Sequence, residues 1–212
     1  STFAVEKRLR EHLAGRWLLA QALEQWGLNP NQIEVKRTEF RAPVLAYLPG
    51  LWLNTSLPSI SISHSAGWAY VALIEPEWSI GIDAEPADRG IAENAFDMMA
   101  RGKELDWLRQ NPSYAIELWT SKESVQKAMQ MGMHLNPRKI EIPIEKGIRI
   151  ISIEKSIIQL ENWIYEGVNI SVAWHNRPLR IRTPEDDLLD ATKKAMQDGE
   201  WGVGCKTTLG KV

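Results

Sequence analysis

Apolar residues recur at intervals of three and four near the N-terminus, and this spacing predicts one amphipathic helix over residues 4–26. Gly27 follows, and glycine commonly ends helices. The basic residues Arg8, Arg10 and Arg16 lie off the apolar stripe. The stripe itself consists of Leu9, Leu13, Trp17, Ala20, Leu23 and Trp26.

Alternating polar and apolar residues predict two groups of strands further along the chain. The first group lies at 32–40, 59–63, 68–74 and 78–83, and its last three members form a meander. Two short helices at 93–99 and 102–109 and a longer one at 114–131 follow. The second group of strands lies at 139–142, 148–154, 162–166 and 169–174. The order of helix then meander occurs twice, which suggests two similar halves with a site between them.

The predicted fold class is therefore α/β (α+β), with an N-terminal half at 1–84, a C-terminal half at 85–182 and a polar, mobile tail at 183–212. A formal charge of -2 argues against general affinity for nucleic acid. The single cysteine, Cys205, fits a reducing compartment, and no window holds the ~18 apolar residues of a membrane span. We expect a cytoplasmic protein without nucleic-acid or membrane partners, and two fused halves would allow a monomer.

Three carboxylates and a lysine are candidates for a metal and phosphate site. Asp83 and Glu85 end an apolar strand two residues apart, so both carboxylates point the same way. Glu123 and Lys127 are four residues apart on one face of the predicted helix. Hard oxygen ligands suit Mg²⁺, which bridges to phosphates. The plain alternatives are solvated acids at a strand end and a surface ion pair of about 0.3–0.5 kcal/mol.

Basic side chains supply candidates for binding a polyanion. Arg16, Arg37 and Arg41 all precede His64, and arginine gives bidentate contacts to phosphate. If these residues converge, they would hold one polyanion. The alternatives are solvated basic positions and a histidine that only caps the end of a strand.

An ordered series of blocks over residues 8–175 resembles the Sfp-type 4'-phosphopantetheinyl transferases. Residues 13–16 (Leu-Ala-Gly-Arg) are similar to the N-terminal helix of that family, and 37–43 to its coenzyme A loop. Residues 61–65 (Ser-Ile-Ser-His-Ser) match its Ile-Ser-His segment. The signature motifs follow in order at 81–85 (Gly-Ile-Asp-Ala-Glu) and 119–128 (Trp-Thr-Ser-Lys-Glu-Ser-Val-Gln-Lys-Ala). One departure is that Arg41-Ala42-Pro43 stands where the family often has Gly-Lys-Pro.

The resemblance implies a pseudo-two-fold fold of two similar helix-plus-antiparallel-sheet halves, with coenzyme A in the cleft. It implies that Asp83, Glu85 and Glu123 hold Mg²⁺, and that Glu123 and Lys127 are the catalytic residues, with Lys127 at the phosphates. The residues it implies for coenzyme A binding are Arg16, Arg37, Arg41, Ser63, His64 and Lys127.

The activity implied is Mg²⁺-dependent transfer of 4'-phosphopantetheine from coenzyme A to a serine hydroxyl of an apo acyl or peptidyl carrier protein. The other product would be adenosine 3',5'-bisphosphate. Two other functions fit the same residues. One is a Mg²⁺-dependent nucleotide phosphodiester hydrolase, and the other is a module that binds coenzyme A or a carrier without catalysis.

Overall fold

The computed structural model describes residues 2–51, 55–145 and 147–177, together with Thr192. The helices are α1 (Thr2–Gln25), α2 (Phe96–Met99), α3 (Gly102–Gln110) and α4 (Ala115–Ala128). The strands are β1 (Ile33–Arg37), β2 (Pro43–Tyr47), β3 (Ser59–Ser65), β4 (Trp68–Ile74), β5 (Trp78–Pro86), β6 (Arg149–Ile153), β7 (Ser156–Tyr165) and β8 (Val168–Asn176). Apart from Thr192, the predicted tail and Cys205 lie outside the described residues. None of the helices in these ranges is both long and apolar enough to cross a bilayer.

All strand pairs among the described residues are antiparallel, in two hairpins and one four-stranded sheet. The hairpins are β1–β2 and β3–β4, and the larger sheet has the order β5-β8-β7-β6. Helices packed on antiparallel sheets confirm the predicted α/β (α+β) class. The predicted meander over 59–83 is wrong in one respect, because β5 leaves the hairpin and pairs with β8, with Asp83 opposite Ser171.

The strand predicted at 139–142 does not form. Ile140 and Ile142 are buried as the alternation suggested, but they pack without a strand partner. The amide of Ile142 donates instead to the carboxylate of Glu104 on α3, at 3.0 Å. An extended segment therefore fills the core here, and a side chain satisfies its backbone.

The buried face of α1 differs from its predicted apolar stripe. Leu19 and Leu23 pack against Ile60 of β3, and Gly15 is buried on the same side of the helix. The glycine has no side chain, so β3 can approach α1 closely there. Three of the predicted stripe residues are instead more than half exposed, namely Leu9, Leu13 and Trp17.

The main core lies between α4 and the four-stranded sheet. It is built from large buried side chains, including Phe96, Leu108, Leu118, Val125, Ile140, Ile158 and Leu160. The face of α4 toward the sheet also carries small polar side chains. The hydroxyls of Ser124 and Ser171 lie 2.8 Å apart, and Asn169 donates to the hydroxyl of Thr120. Small side chains keep the helix close to the sheet.

The closest approach of α4 to the sheet is at Gly81 of β5. A β-carbon built on Gly81 would lie 2.0 Å from the carbonyl oxygen of Ser124 and 2.4 Å from the amide nitrogen of Ala128. Both are backbone atoms, which cannot rotate away. Only glycine therefore allows this contact, which brings Lys127 of α4 beside β5.

We expect Gly81→Ala to destabilise the protein by about 3 kcal/mol, because α4 must move off the sheet. For a chain of this size that corresponds to a fall in Tm of about 6–12 °C in thermal unfolding. Gly90→Ala is the matched control, since a β-carbon there meets nothing within 4 Å. An equal Tm for the two variants would contradict the close contact.

Candidate functional site

A basic pocket lies between α1, the β1–β2 loop, β3 and the end of α4. Five of the residues predicted to bind coenzyme A line it, namely Arg16, Arg37, Arg41, His64 and Lys127. The structure therefore brings together side chains from distant parts of the chain. This is the arrangement that we expect if they bind one polyanion. Burial, and then the charge of Arg37, lowers the pKa of Arg16 below its usual value.

His64 occupies the floor of the basic pocket because Gly15 leaves room for its ring. A β-carbon on Gly15 would lie 2.5 Å from Nε2 of His64. Burial lowers the pKa of His64, and the charge of Glu11 and a hydrogen bond to the Glu11 backbone partly offset this effect. The imidazole is thus held against α1, and its exposed part faces the pocket.

Three further residues line the basic pocket and were missed in the sequence: His12, Phe40 and Gln130. His12 lies four residues before Arg16, so the helical spacing offered a signal for it. Phe40 contacts the ring of His134 with centroids 4.8 Å apart. That contact joins the β1–β2 loop to the segment after α4, and no local pattern predicts it.

Beside the pocket, Lys127 forms an ion pair with Asp83 at 2.7 Å. Its ammonium group also donates to the carbonyl oxygen of Ile82 at 3.0 Å and to the hydroxyl of Ser63 at 3.3 Å. Ser63 in turn donates to Oδ1 of Asp83 at 3.0 Å. Ser63 is 5 % exposed, and its hydroxyl lies between the two charged groups. Its predicted role in coenzyme A binding remains a prediction.

The other two predicted metal ligands lie near this ion pair. Glu85 contacts Arg89 at 2.5 Å and accepts a long hydrogen bond from Ser65 at 3.4 Å. Burial raises the pKa of Glu123 to about 7, and the charges of Asp83 and Glu85 add to the rise. Glu123 is therefore close enough to Asp83 and Glu85 for their negative charges to oppose its ionisation.

The donor atoms suit a hard divalent cation, but the described residues do not form a finished cage. Oδ2 of Asp83 is buried without a hydrogen-bond partner among the described residues, so this oxygen is available to a ligand. Across the same part of the chain, no three His, Cys, Asp or Glu side chains lie close enough to hold a metal ion. Asp83 and Glu85 are paired with Lys127 and Arg89 instead.

Lys122, inside the motif at 119–128, has a structural position that the sequence did not reveal. Its side chain is fully buried, and its ammonium group contacts Glu104 at 2.6 Å. The same group donates to the carbonyl oxygens of Pro137 and Ile140. Lys122 therefore ties α4 to α3 and to the segment after α4, while its neighbour Glu123 faces the carboxylate site.

Residues 79–177 match the family model of the 4'-phosphopantetheinyl transferase superfamily. Over these residues the family predicted from the sequence is confirmed at the level of the superfamily. The match contains β5 and α4 with Asp83, Glu85, Glu123 and Lys127, and it supports a transferase that uses coenzyme A. No curated protein matches the chain.

We expect Gly15→Ala to weaken coenzyme A binding without destabilising the protein. The added methyl group displaces the ring of His64, while alanine favours the helix by about 1 kcal/mol relative to glycine. Isothermal titration calorimetry should show a Kd raised about tenfold, and thermal unfolding should show an equal or higher Tm.

The double variant Gly15→Ala/His64→Ala is the control for this mechanism. If Gly15 acts through His64, the double variant should bind coenzyme A no more weakly than His64→Ala alone. Fully additive losses would contradict the proposed contact.

We expect Glu123→Gln to stabilise the metal-free protein at pH 8 but not at pH 5. The folded-state pKa of about 7 lies above the usual value of 4.5 for a glutamate, so the stability that this group contributes is lost as pH rises through 7. Removing the charge of Glu123 should raise the free energy of unfolding at pH 8 by roughly 1–3 kcal/mol. Tm in EDTA should rise by about 2–4 °C for each kcal/mol.

The exposed Glu93 supplies the matched control, because Glu93→Gln makes the same charge change away from the site. Its Tm should follow the wild type at both pH values. A Glu123→Gln variant that is no more stable than the wild type at pH 8 would show that burial and the neighbouring charges do not raise the pKa of Glu123.

Proposed function

We propose that this protein is an Sfp-type transferase that moves 4'-phosphopantetheine from coenzyme A to a serine hydroxyl of an apo acyl or peptidyl carrier protein. The observation that carries the proposal is the position of Lys127. It lines the basic pocket and is also paired with Asp83 of the carboxylate group. A ligand with a nucleotide end and a pyrophosphate would thus have cations for both parts within one site.

The basic pocket would hold the nucleotide end of coenzyme A. Arg16, Arg37 and Arg41 supply guanidinium groups that bind phosphate oxygens in pairs. His64 adds a ring nitrogen at the pocket floor. Lys127 lies where the pocket meets the carboxylates and would contact the pyrophosphate, giving up its long contact to Ser63. These residues fix the substrate before reaction.

The reaction would be an attack of the carrier serine oxygen on the β-phosphorus of coenzyme A. A new oxygen–phosphorus bond forms, the bond from that phosphorus to the bridging oxygen of the pyrophosphate breaks, and adenosine 3',5'-bisphosphate leaves. Glu123 is the candidate to accept the serine proton, directly or through a water molecule. Lys127 and the arginines stabilise charge on the phosphate oxygens.

Asp83, Glu85 and Glu123 would hold Mg²⁺, with Oδ2 of Asp83 as the oxygen most available to it. The ion would supply positive charge at the pyrophosphate. Glu85 is paired with Arg89 at present, and its carboxylate would turn to the ion. Lys127, paired with Oδ1 of Asp83, would lie beside the substrate phosphates.

The test is the intact mass of an apo carrier protein after incubation with coenzyme A and Mg²⁺. We expect the carrier to gain the mass of phosphopantetheine and to lose this gain in EDTA. Asp83→Ala should reduce the rate at least about 100-fold, because it removes the buried ligand and the partner of Lys127.

Asp88→Ala is the matched control, since Asp88 is exposed just beyond the end of β5. It should retain the full rate. Consumption of coenzyme A without a mass gain on the carrier would indicate a hydrolase. Full activity of a folded Asp83→Ala variant would overturn the metal assignment.

A further inference from the structure

Four serines alternate along β3, and all four hydroxyls contact β5. Ser59, Ser61, Ser63 and Ser65 are 3–7 % exposed, although alternation of this kind often places polar residues toward solvent. We call this set the serine seam. Burying four hydroxyls requires partners for them, and β5 supplies those partners.

The first part of the serine seam joins two strands that belong to different sheets. The hydroxyl of Ser59 donates to the carbonyl oxygen of Trp78, and the amide of Ile82 donates to the hydroxyl of Ser61 at 3.0 Å. β3 pairs with β4, and β5 pairs with β8. Serine side chains therefore satisfy backbone groups on the edge of β5 that faces β3.

The second part of the serine seam reaches carboxylates instead of backbone. Ser63 donates to Oδ1 of Asp83 at 3.0 Å, and Ser65 lies 3.4 Å from Glu85. Ser63 also accepts from Lys127 at 3.3 Å. With Oδ1 held by Ser63 and Lys127, Oδ2 of Asp83 is the oxygen that remains available.

Even-numbered residues of β3 face the other way. Ile60, Ile62 and His64 line the basic pocket, as does Ser61 of the seam, whereas Ser63 does not line it. The hydroxyl of Ser63 is thus directed away from the place where the nucleotide would bind. Its contacts are with the carboxylate side of the strand.

We propose that Ser63 is a positioning residue that orients Asp83 toward a divalent cation, and that it is not a direct ligand of coenzyme A. This inference rests on the proposed function. Groups that hydrogen-bond to a metal ligand fix its orientation, and their removal typically lowers metal affinity 10–100-fold. In Ser63→Ala, Asp83 keeps the contact with Lys127 but loses the neutral donor that aligns its carboxylate.

The first measurement is Mn²⁺ binding without coenzyme A, in which electron paramagnetic resonance reports the concentration of free Mn²⁺. We expect Ser63→Ala to raise the Kd for Mn²⁺ about tenfold. Ser59→Ala is the matched control, because it removes a hydroxyl of the same seam whose partner, Trp78, lies five residues before Asp83. It should lower Tm in the same way and leave the Kd for Mn²⁺ unchanged. Ser63→Cys keeps nearly the same volume with a weaker donor, and should also raise the Kd.

The second measurement is coenzyme A binding in EDTA, by calorimetry. Ser63→Ala should bind with the wild-type Kd, whereas His64→Ala should bind about tenfold more weakly. A tenfold loss for Ser63→Ala in EDTA would overturn the proposal and make Ser63 a ligand of coenzyme A. Equal effects of Ser63→Ala and Ser59→Ala on Mn²⁺ binding would also overturn it.

Failure of this inference can be told apart from failure of the proposed function. If the wild type binds Mn²⁺ and modifies a carrier, but Ser63→Ala binds Mn²⁺ normally, only the role of Ser63 is wrong. If the wild type binds no Mn²⁺, the metal site and the role of Ser63 fall together. If Mn²⁺ binding depends on Ser63 but no carrier is modified, the positioning role stands and the transferase proposal fails.

Discussion

The contact between α4 and β5 at Gly81 is the constraint on which the site depends. β5 carries Asp83 two residues beyond the glycine, and α4 carries Lys127 next to the backbone that the glycine touches. The ion pair of 2.7 Å between them exists only at this helix-to-strand distance. A side chain at position 81 would move the helix and its charged groups together, because packed elements shift as units.

The close approach of α4 to β5 also places Glu123 of α4 near the carboxylates of Asp83 and Glu85 on β5. Burial, and then the negative charges of Asp83 and Glu85, raise the pKa of Glu123 above its usual value. Lys127 and Arg89 offset part of that charge. Gathering like charges in this way lowers the stability of the protein, as is common where function sets the placement of charge.

Features that depend on local spacing could be predicted from the sequence. The period of 3.6 residues placed Glu123 and Lys127 on one helix, and the strand before Asp83 followed from alternation. The packing partners could not be predicted, because they join distant residues. Nothing near 78–86 shows that β5 pairs with β8, and nothing in the pattern of α1 shows that Gly15 selects its buried face. The full burial of Lys122 likewise depends on Glu104, 18 residues away in the sequence.

β3 shows how one alternating pattern can serve two sites. The period of two places His64 in the basic pocket and Ser63 against Asp83, on opposite faces of one strand. A shift of β3 along β5 would therefore move the pocket floor and the carboxylate partner at the same time. Because the serine seam fixes the strand at four points along β5, it keeps the distance between the two sites constant. A ligand that spans both sites, as we propose for coenzyme A, requires the distance between them to stay constant.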